Sequence, residues 1–193
     1  MTGDAKVDGR SLRGERNRLA LLDAAMELLD EGNLAPSAQE IAERAGVALR
    51  GVFRHFGGME GLFGAVEERV QASGYAIFTE VNREGSFRER LLNVVEQRAL
   101  VYEKQSNVLL ATQVQRWRSP FIQKTYARSQ RQLRKNLEDW LPELRALSTQ
   151  RIEAIHANAS FEMWHRLRDH QNLGVEEAID NVYDTLKVLI TQP

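Results

Sequence analysis

The run Ser37–Phe63 constrains this chain more than any other stretch, because it holds two short helical patterns on either side of a glycine turn. Ser37 is placed to cap the first helix by accepting a backbone N–H bond. Ile41, Ala42 and Ala45 make its apolar face, and the two alanines are small enough for a second helix to cross closely. Gly46 permits the positive φ of a sharp helix exit. Val47, Val52 and Phe56 then point back into the same small core, and a third helix is entered through Gly57-Gly58. Leu49, Arg50, Gly51, Phe53, Arg54 and His55 are left on or beside the outer face of the second helix. A short outward helix held against a rigid partner is how a helix-turn-helix offers side chains to the major groove of DNA.

Helical periodicity continues through almost everything after Gly14, and no alternating strand pattern appears. Pro36, Pro120, Pro142 and Pro193 fall where the pattern breaks. A helix from about Arg16 to Glu31 precedes the turn motif, and another from Met59 to near Val81 follows it, carrying Leu62, Val66, Val70 and Ile77. After the break at 82–86, with Ser86 as a cap, the periodicity predicts five more helices. Leu91, Val94, Val95, Arg98 and Tyr102 mark the first, and Val108–Trp117 reads as a short separate piece. Ser119-Pro120 opens the third, and Ser148 caps a fourth extending to Leu167. The last carries Val175, Ile179, Val182, Leu186 and Leu189. The expectation is an all-α chain of about nine helices, with a flexible basic arm at 1–14, a helix-turn-helix DNA-binding domain at 15–60 and a helical ligand-binding and dimerisation domain at 61–193.

Without cysteine, disulfide scaffolds, thiolate metal sites and cysteine nucleophiles are excluded. Met1–Gly14 is polar and charged, unlike a signal peptide, and no apolar run approaches the ~18–20 residues of a membrane span. A cytoplasmic protein with no membrane partner is expected. The net charge of −1 does not announce a nucleic-acid binder, but local charge does. Lys6, Arg10, Arg13, Arg16 and Arg18 face only Asp8 and Glu15, and Arg44, Arg50 and Arg54 face no acid before His55. An arm of this kind is either a solvated tail or a contact to phosphates and the minor groove.

The ordered set Ile41-Ala42-Glu43-Arg44-Ala45-Gly46-Val47, Phe53-Arg54-His55-Phe56 and Leu62-Phe63 resembles the DNA-binding domain of the TetR family of transcriptional regulators. The resemblance extends upstream through Leu21–Leu29 to Arg18 and covers roughly residues 14 to 65. It implies a regulator, a repressor in the usual family pattern, binding a palindromic double-stranded operator as a homodimer and released by a small-molecule inducer that the sequence does not identify. It also implies dimerisation through a four-helix bundle of the last two helices. The apolar stripe of the final helix fits such a seam, or packing within its own subunit. Candidate DNA contacts are Arg18, Ser37, Leu49, Arg50, Gly51, Phe53, Arg54 and His55.

The chain departs from the family pattern at Ala48, Gly51, Phe53 and Met59, where hydroxyls or an ammonium are usual. Either the operator is read by arginines and apolar contacts, or DNA binding is weakened and the chain is a helical protein-interaction module of the same fold. In the second half, Tyr102, Gln113, Trp117, Phe121, Trp140, Phe161 and His165 are candidate pocket residues, although aromatics at helical spacing usually fill a core. No catalytic or metal set is expected and no cofactor. His55, His156, His165 and His170 form no i, i+3 or i, i+4 pair, and the five-residue step from His165 to His170 puts them on different faces of an α-helix.

Overall fold

A computed structural model describes residues 9–79 and 83–192, and these form nine α-helices with no strand among them. In order they are α1 (Gly9–Asp30), α2 (Ala38–Arg44), α3 (Arg50–Phe56), α4 (Met59–Thr79), α5 (Phe87–Gln115), α6 (Pro120–Trp140), α7 (Thr149–Asn158), α8 (Phe161–His165) and α9 (Val175–Thr191). A 3₁₀ turn, Pro142–Ala146, follows α6, and a π-helical segment, Arg166–His170, continues α8. The chain divides into two compact units that interleave in sequence. The first takes the residues up to Val70 together with Leu110–Tyr126; the second takes Gln71–Leu109 and the chain from Ala127 onward.

In the first unit, α1 buries Leu21, Leu22, Ala25, Leu28 and Leu29 against Ile41 and Ala42 of α2 and Val52 of α3. Each of these leucine, isoleucine and valine side chains contributes about 1.5–3 kcal/mol on burial, and the alanines less. The Ser37 hydroxyl accepts from Glu40 N–H at 3.2 Å while Glu40 Oε2 accepts from Ser37 N–H at 2.8 Å, a reciprocal cap that starts α2. The Ser37 hydrogen bond also holds the Glu40 carboxyl below its ordinary pKa. Ser37→Ala should therefore cost about 0.5–2 kcal/mol, read as a lower Tm in thermal melts. Gly46, at φ 63°, ends α2 with paired bonds from Gly46 N–H to Glu43 O and from Val47 N–H to Ala42 O.

The end of α5 and the start of α6 also belong to this first unit. Gln115 Nε2 donates to Leu34 O at 3.0 Å, the Ser119 hydroxyl donates to Glu60 of α4 at 2.5 Å, and Phe121 lies against Gly64.

The second unit is built around Trp140, Leu137 and Leu141 of α6, with Leu91, Val94 and Val95 of α5, Ile155 of α7, Phe161 and Trp164 of α8, and Ala178, Val182 and Leu186 of α9. Arg151 donates to Leu189 O at 2.6 and 3.0 Å, so a cation serves the carbonyl end of α9.

Several element boundaries differ from the sequence expectation. The helix α1 starts at Gly9, so residues 9–14 are helical; the remainder of the expected arm lies outside the described residues, as do positions 80–82 and 193. Val108–Trp117 does not begin a helix of its own, because nothing between Tyr102 and Gln115 breaks the 29-residue α5. The helix expected from Ser148 to Leu167 is two: α7 ends at Asn158, and the Ser160 side chain caps α8 by accepting from Met163 N–H. Phe56 is half-exposed rather than buried, its ring beneath the Arg18 guanidinium at 5.6 Å.

Candidate nucleic-acid interface and effector cavity

The short helix α3 is fixed from below and open above. Val52 is wholly buried, whereas Leu49 is 40 % and Phe53 56 % exposed, with Arg50 and Arg54 exposed beside them. Arg54 Nη2 and His55 Nε2 are 3.0 Å apart, so the imidazole accepts from the guanidinium in one tautomer and steers it. Gly14 of α1 lies near His55, and Arg18 covers Phe56, so the basic residues of α1 continue the positive surface beyond the end of α3.

Two candidates take other places. Gly51 is buried rather than outward-facing: a Cβ there would stand 2.6 Å from Val47 Cγ1 and 3.7 Å from Leu21 Cδ1. The missing hydroxyl at this position is therefore part of how α3 packs on α1. The Ser37 hydroxyl is engaged with Glu40, which makes its role that of a cap. Arg44 is also committed, gripping Glu31 with two 2.8 Å bonds that tie α2 to α1. Among the described residues, Arg50 and Arg54 of α3 and Arg13 and Arg16 of α1 are exposed cations on this side of the unit, while Arg18 lies 3.6 Å from Glu15.

The residues expected to line one pocket are divided. Tyr102, Phe161 and His165 meet in the second unit, with ring centroids 5.6 Å apart for Tyr102–Phe161 and 5.7 Å for Phe161–His165. Trp140 is core, with no exposed surface. Gln113, Trp117 and Phe121 belong to the first unit. Trp117 sits in the turn after α5, 76 % exposed and under Arg116, because the chain reverses there and leaves no second layer to cover it.

Sequence reasoning missed the feature that makes the second unit's cavity distinctive. A cavity of about 280 Å³ is lined by Arg98, Tyr102, Arg131, Arg134, His156 and Ser160, among others. Arg98 is 5 % exposed. Its Nη1 and Nη2 donate to Ala159 O and Leu133 O at 2.8 and 2.6 Å, and its buried Nε has no partner. The Tyr102 hydroxyl donates to the same Ala159 O at 2.9 Å, and burial raises the Tyr102 pKa, keeping the phenol neutral. The signal was an arginine inside the stripe Leu91, Val94, Val95, Arg98, Tyr102, since a charge there is costly unless it is compensated.

Burial, and then the neighbouring Arg134 and Arg98 charges, hold the His156 imidazole below its ordinary value of 6.5, against a smaller opposing pull from Glu138. The folded state thus binds fewer protons at His156 than the unfolded chain does. Its stability should fall as pH drops below about 6.5 and level off once both states are protonated. Thermal melts from pH 7.5 to about pH 5 should show this loss, and His156→Gln should flatten it.

An all-α protein whose capped α2 and outward α3 present arginines above a buried anchor is a helix-turn-helix protein. Residues 21–66 match the family described as bacterial regulatory proteins, tetR family. Over that segment the chain is similar to the TetR family. Among solved structures, a transcriptional regulator from Rhodococcus sp. Rha1 superposes with TM-score 0.70 at 20 % identity, covering 91 % of this chain and 95 % of that one. A second Rhodococcus sp. structure, named as a TetR-family transcriptional regulator, gives 0.71 at 19 % identity over 92 % and 100 %. A transcriptional regulator of the AcrR type from Aquifex aeolicus VF5 gives 0.61 at 19 % over 90 % and 99 %. These likenesses show the fold over nearly the whole length. No curated protein matches the sequence. None of the described helices is long and apolar enough to cross a membrane.

Proposed function

We propose that this chain is a ligand-responsive transcriptional repressor of the cytoplasm, bound as a homodimer to a palindromic operator and released by an anionic small molecule. The observation that carries the reading is the outer face of α3, where Leu49, Arg50, Phe53 and Arg54 stand exposed on a helix anchored through Val52. Arginine forks suit guanine edges, and the apolar pair suits thymine methyls. Arg18 and His55 serve the adjoining phosphates.

Dimerisation is favoured by what one such helix leaves undone: it touches too few bases alone, and a two-fold pair reads two half-sites. The stripe on α9 is shared between two duties. Val182 and Leu186 pack inside their own unit, while Val175 and Val188 remain exposed and Ile179 and Leu189 half-exposed. The cavity argues for the effector's charge. Arg98 is buried without an ion pair among the described residues, and Arg131 and Arg134 line the same space. A carboxylate or phosphate would supply the missing partner to Arg98 Nε.

Selection of duplexes from a random library should recover a palindrome whose half-sites are spaced by about one helical turn or a multiple of it. Recovery of no preferred sequence would favour a protein-interaction module instead. Anionic metabolites should then release the selected duplex from the native chain but not from Arg98→Met.

A further inference from the structure

The histidines at 165 and 170 are five residues apart, a step that separates side chains on an α-helix and aligns them on a π-helix. The segment Arg166–His170 is π-helical, closed by the bond from Gln171 N–H to Arg166 O at 3.0 Å. The two imidazoles consequently meet, with ring centroids 5.5 Å apart at 62°. Between them stands Asp169, whose Oδ2 is 3.9 Å from His165 Nε2 and 3.7 Å from His170 Nε2. One donor atom from each residue lies within 4.8 Å of the others.

This turn is held from the protein side. Leu167 is buried beneath it. Arg168 donates to both oxygens of Glu103, at 2.9 and 3.2 Å, and to Leu173 O, while Trp164 Nε1 donates to Glu103 at 2.8 Å. His165 stacks on Phe161 at an interplanar angle of 21°. Single π turns in helices are rare and cluster at functional sites. Here the distortion brings His170 round to His165 and Asp169, an i, i+4 pair that an α-helix already places on one face.

We propose that His165, Asp169 and His170 form a binding site for a first-row divalent transition ion of the zinc, nickel or copper type. Two imidazole nitrogens and one carboxylate oxygen match these ions, whereas calcium and magnesium prefer oxygen donors throughout. Bound at metal–ligand distances of about 2.0–2.2 Å, ligand atoms stand roughly 3.0–3.5 Å apart. The Asp169 oxygen needs to close on each imidazole by a few tenths of an ångström, and the two imidazole donors, which lie within 4.8 Å, need to approach by up to about an ångström more, which torsions of the exposed Asp169 and His170 side chains allow. Three protein ligands leave further coordination positions to water or to a second molecule. The ion would lock the π turn and fix the His165 ring on Phe161, one contact from the effector-cavity residue Tyr102.

The test uses full-length protein without a histidine tag, freed of metal by chelation and titrated with Co²⁺ and Zn²⁺ by calorimetry and visible absorption. One saturable site per chain is expected, with Co²⁺ giving ligand-field bands. His170→Ala should weaken binding by at least the ~10–100-fold that loss of a supporting partner costs a metal site, and Asp169→Asn should weaken it as well. Both residues are exposed, so circular dichroism should show the helices intact in these variants. Absence of saturable binding, or equal affinity in the native chain and in His170→Ala, overturns the proposal.

Discussion

Replacing both Arg50 and Arg54 with alanine should weaken operator binding by about 2–6 kcal/mol, which is about 1–3 kcal/mol for each base-reading arginine if the losses add. Both side chains are exposed, so the folded stability should barely change. Loss of affinity with an unaltered Tm would then belong to the interface itself. The single variants divide the effect. A loss confined to one base position marks direct reading, and a uniform loss with a shallower salt slope marks phosphate contact. His55→Ala should mimic a weaker Arg54→Ala, because the imidazole lies 3.0 Å from the Arg54 guanidinium and directs it. A double variant that binds the selected operator as the native chain does would remove α3 from the interface.

The second large effect concerns Gly61. A Cβ at this position would lie 1.9 Å from Phe56 O and 3.0 Å from Phe56 C, so the obstacle is backbone and cannot rotate aside. Gly61→Ala forces α4 away from the end of α3. The expected cost is about 3 kcal/mol, at the upper end of overpacking, or a fall in Tm of roughly 6–12 °C for a chain of this size. Affinity for DNA should fall as well, since the exit of α3 is displaced. Gly64→Ala is the informative contrast. Its Cβ would meet the Phe121 ring at 2.8 Å, and that ring is 45 % exposed and able to swing. Its Tm should fall less than that of Gly61→Ala, and equal losses would refute the steric account.

The elements of the reading head were legible because each rests on a local rule. Ser37 with Glu40, Ile41 with Ala42, and Gly46 each specify a cap, a face or a turn within a few residues. The side of α3 on which Gly51 falls was not legible, since an outward glycine and one pressed against Val47 read alike in sequence. Equally hidden was the grip of Arg44 on Glu31, which depends on how α2 meets α1.

In the second half the helices were legible and their partners were not. Trp117, Phe121 and Trp140 share an aromatic character, yet one is exposed in a turn, one lies against Gly64 and one is core. Periodicity assigns a face to a helix but not the neighbour that covers it. The π turn defeated the α-helical spacing rule itself, so His165 and His170 were separated on paper and joined in the fold.

The central claim, that α3 and its flanking cations read DNA, is tested most directly by the salt dependence of binding to the selected palindrome. Affinity measured between about 50 and 200 mM monovalent salt should fall by about 10³–10⁵, as expected for some 6–10 phosphate contacts made by a dimer. A scrambled duplex of equal length should bind far more weakly at every salt concentration. Equal affinity for the two duplexes, or a logarithmic slope near zero, would contradict the account.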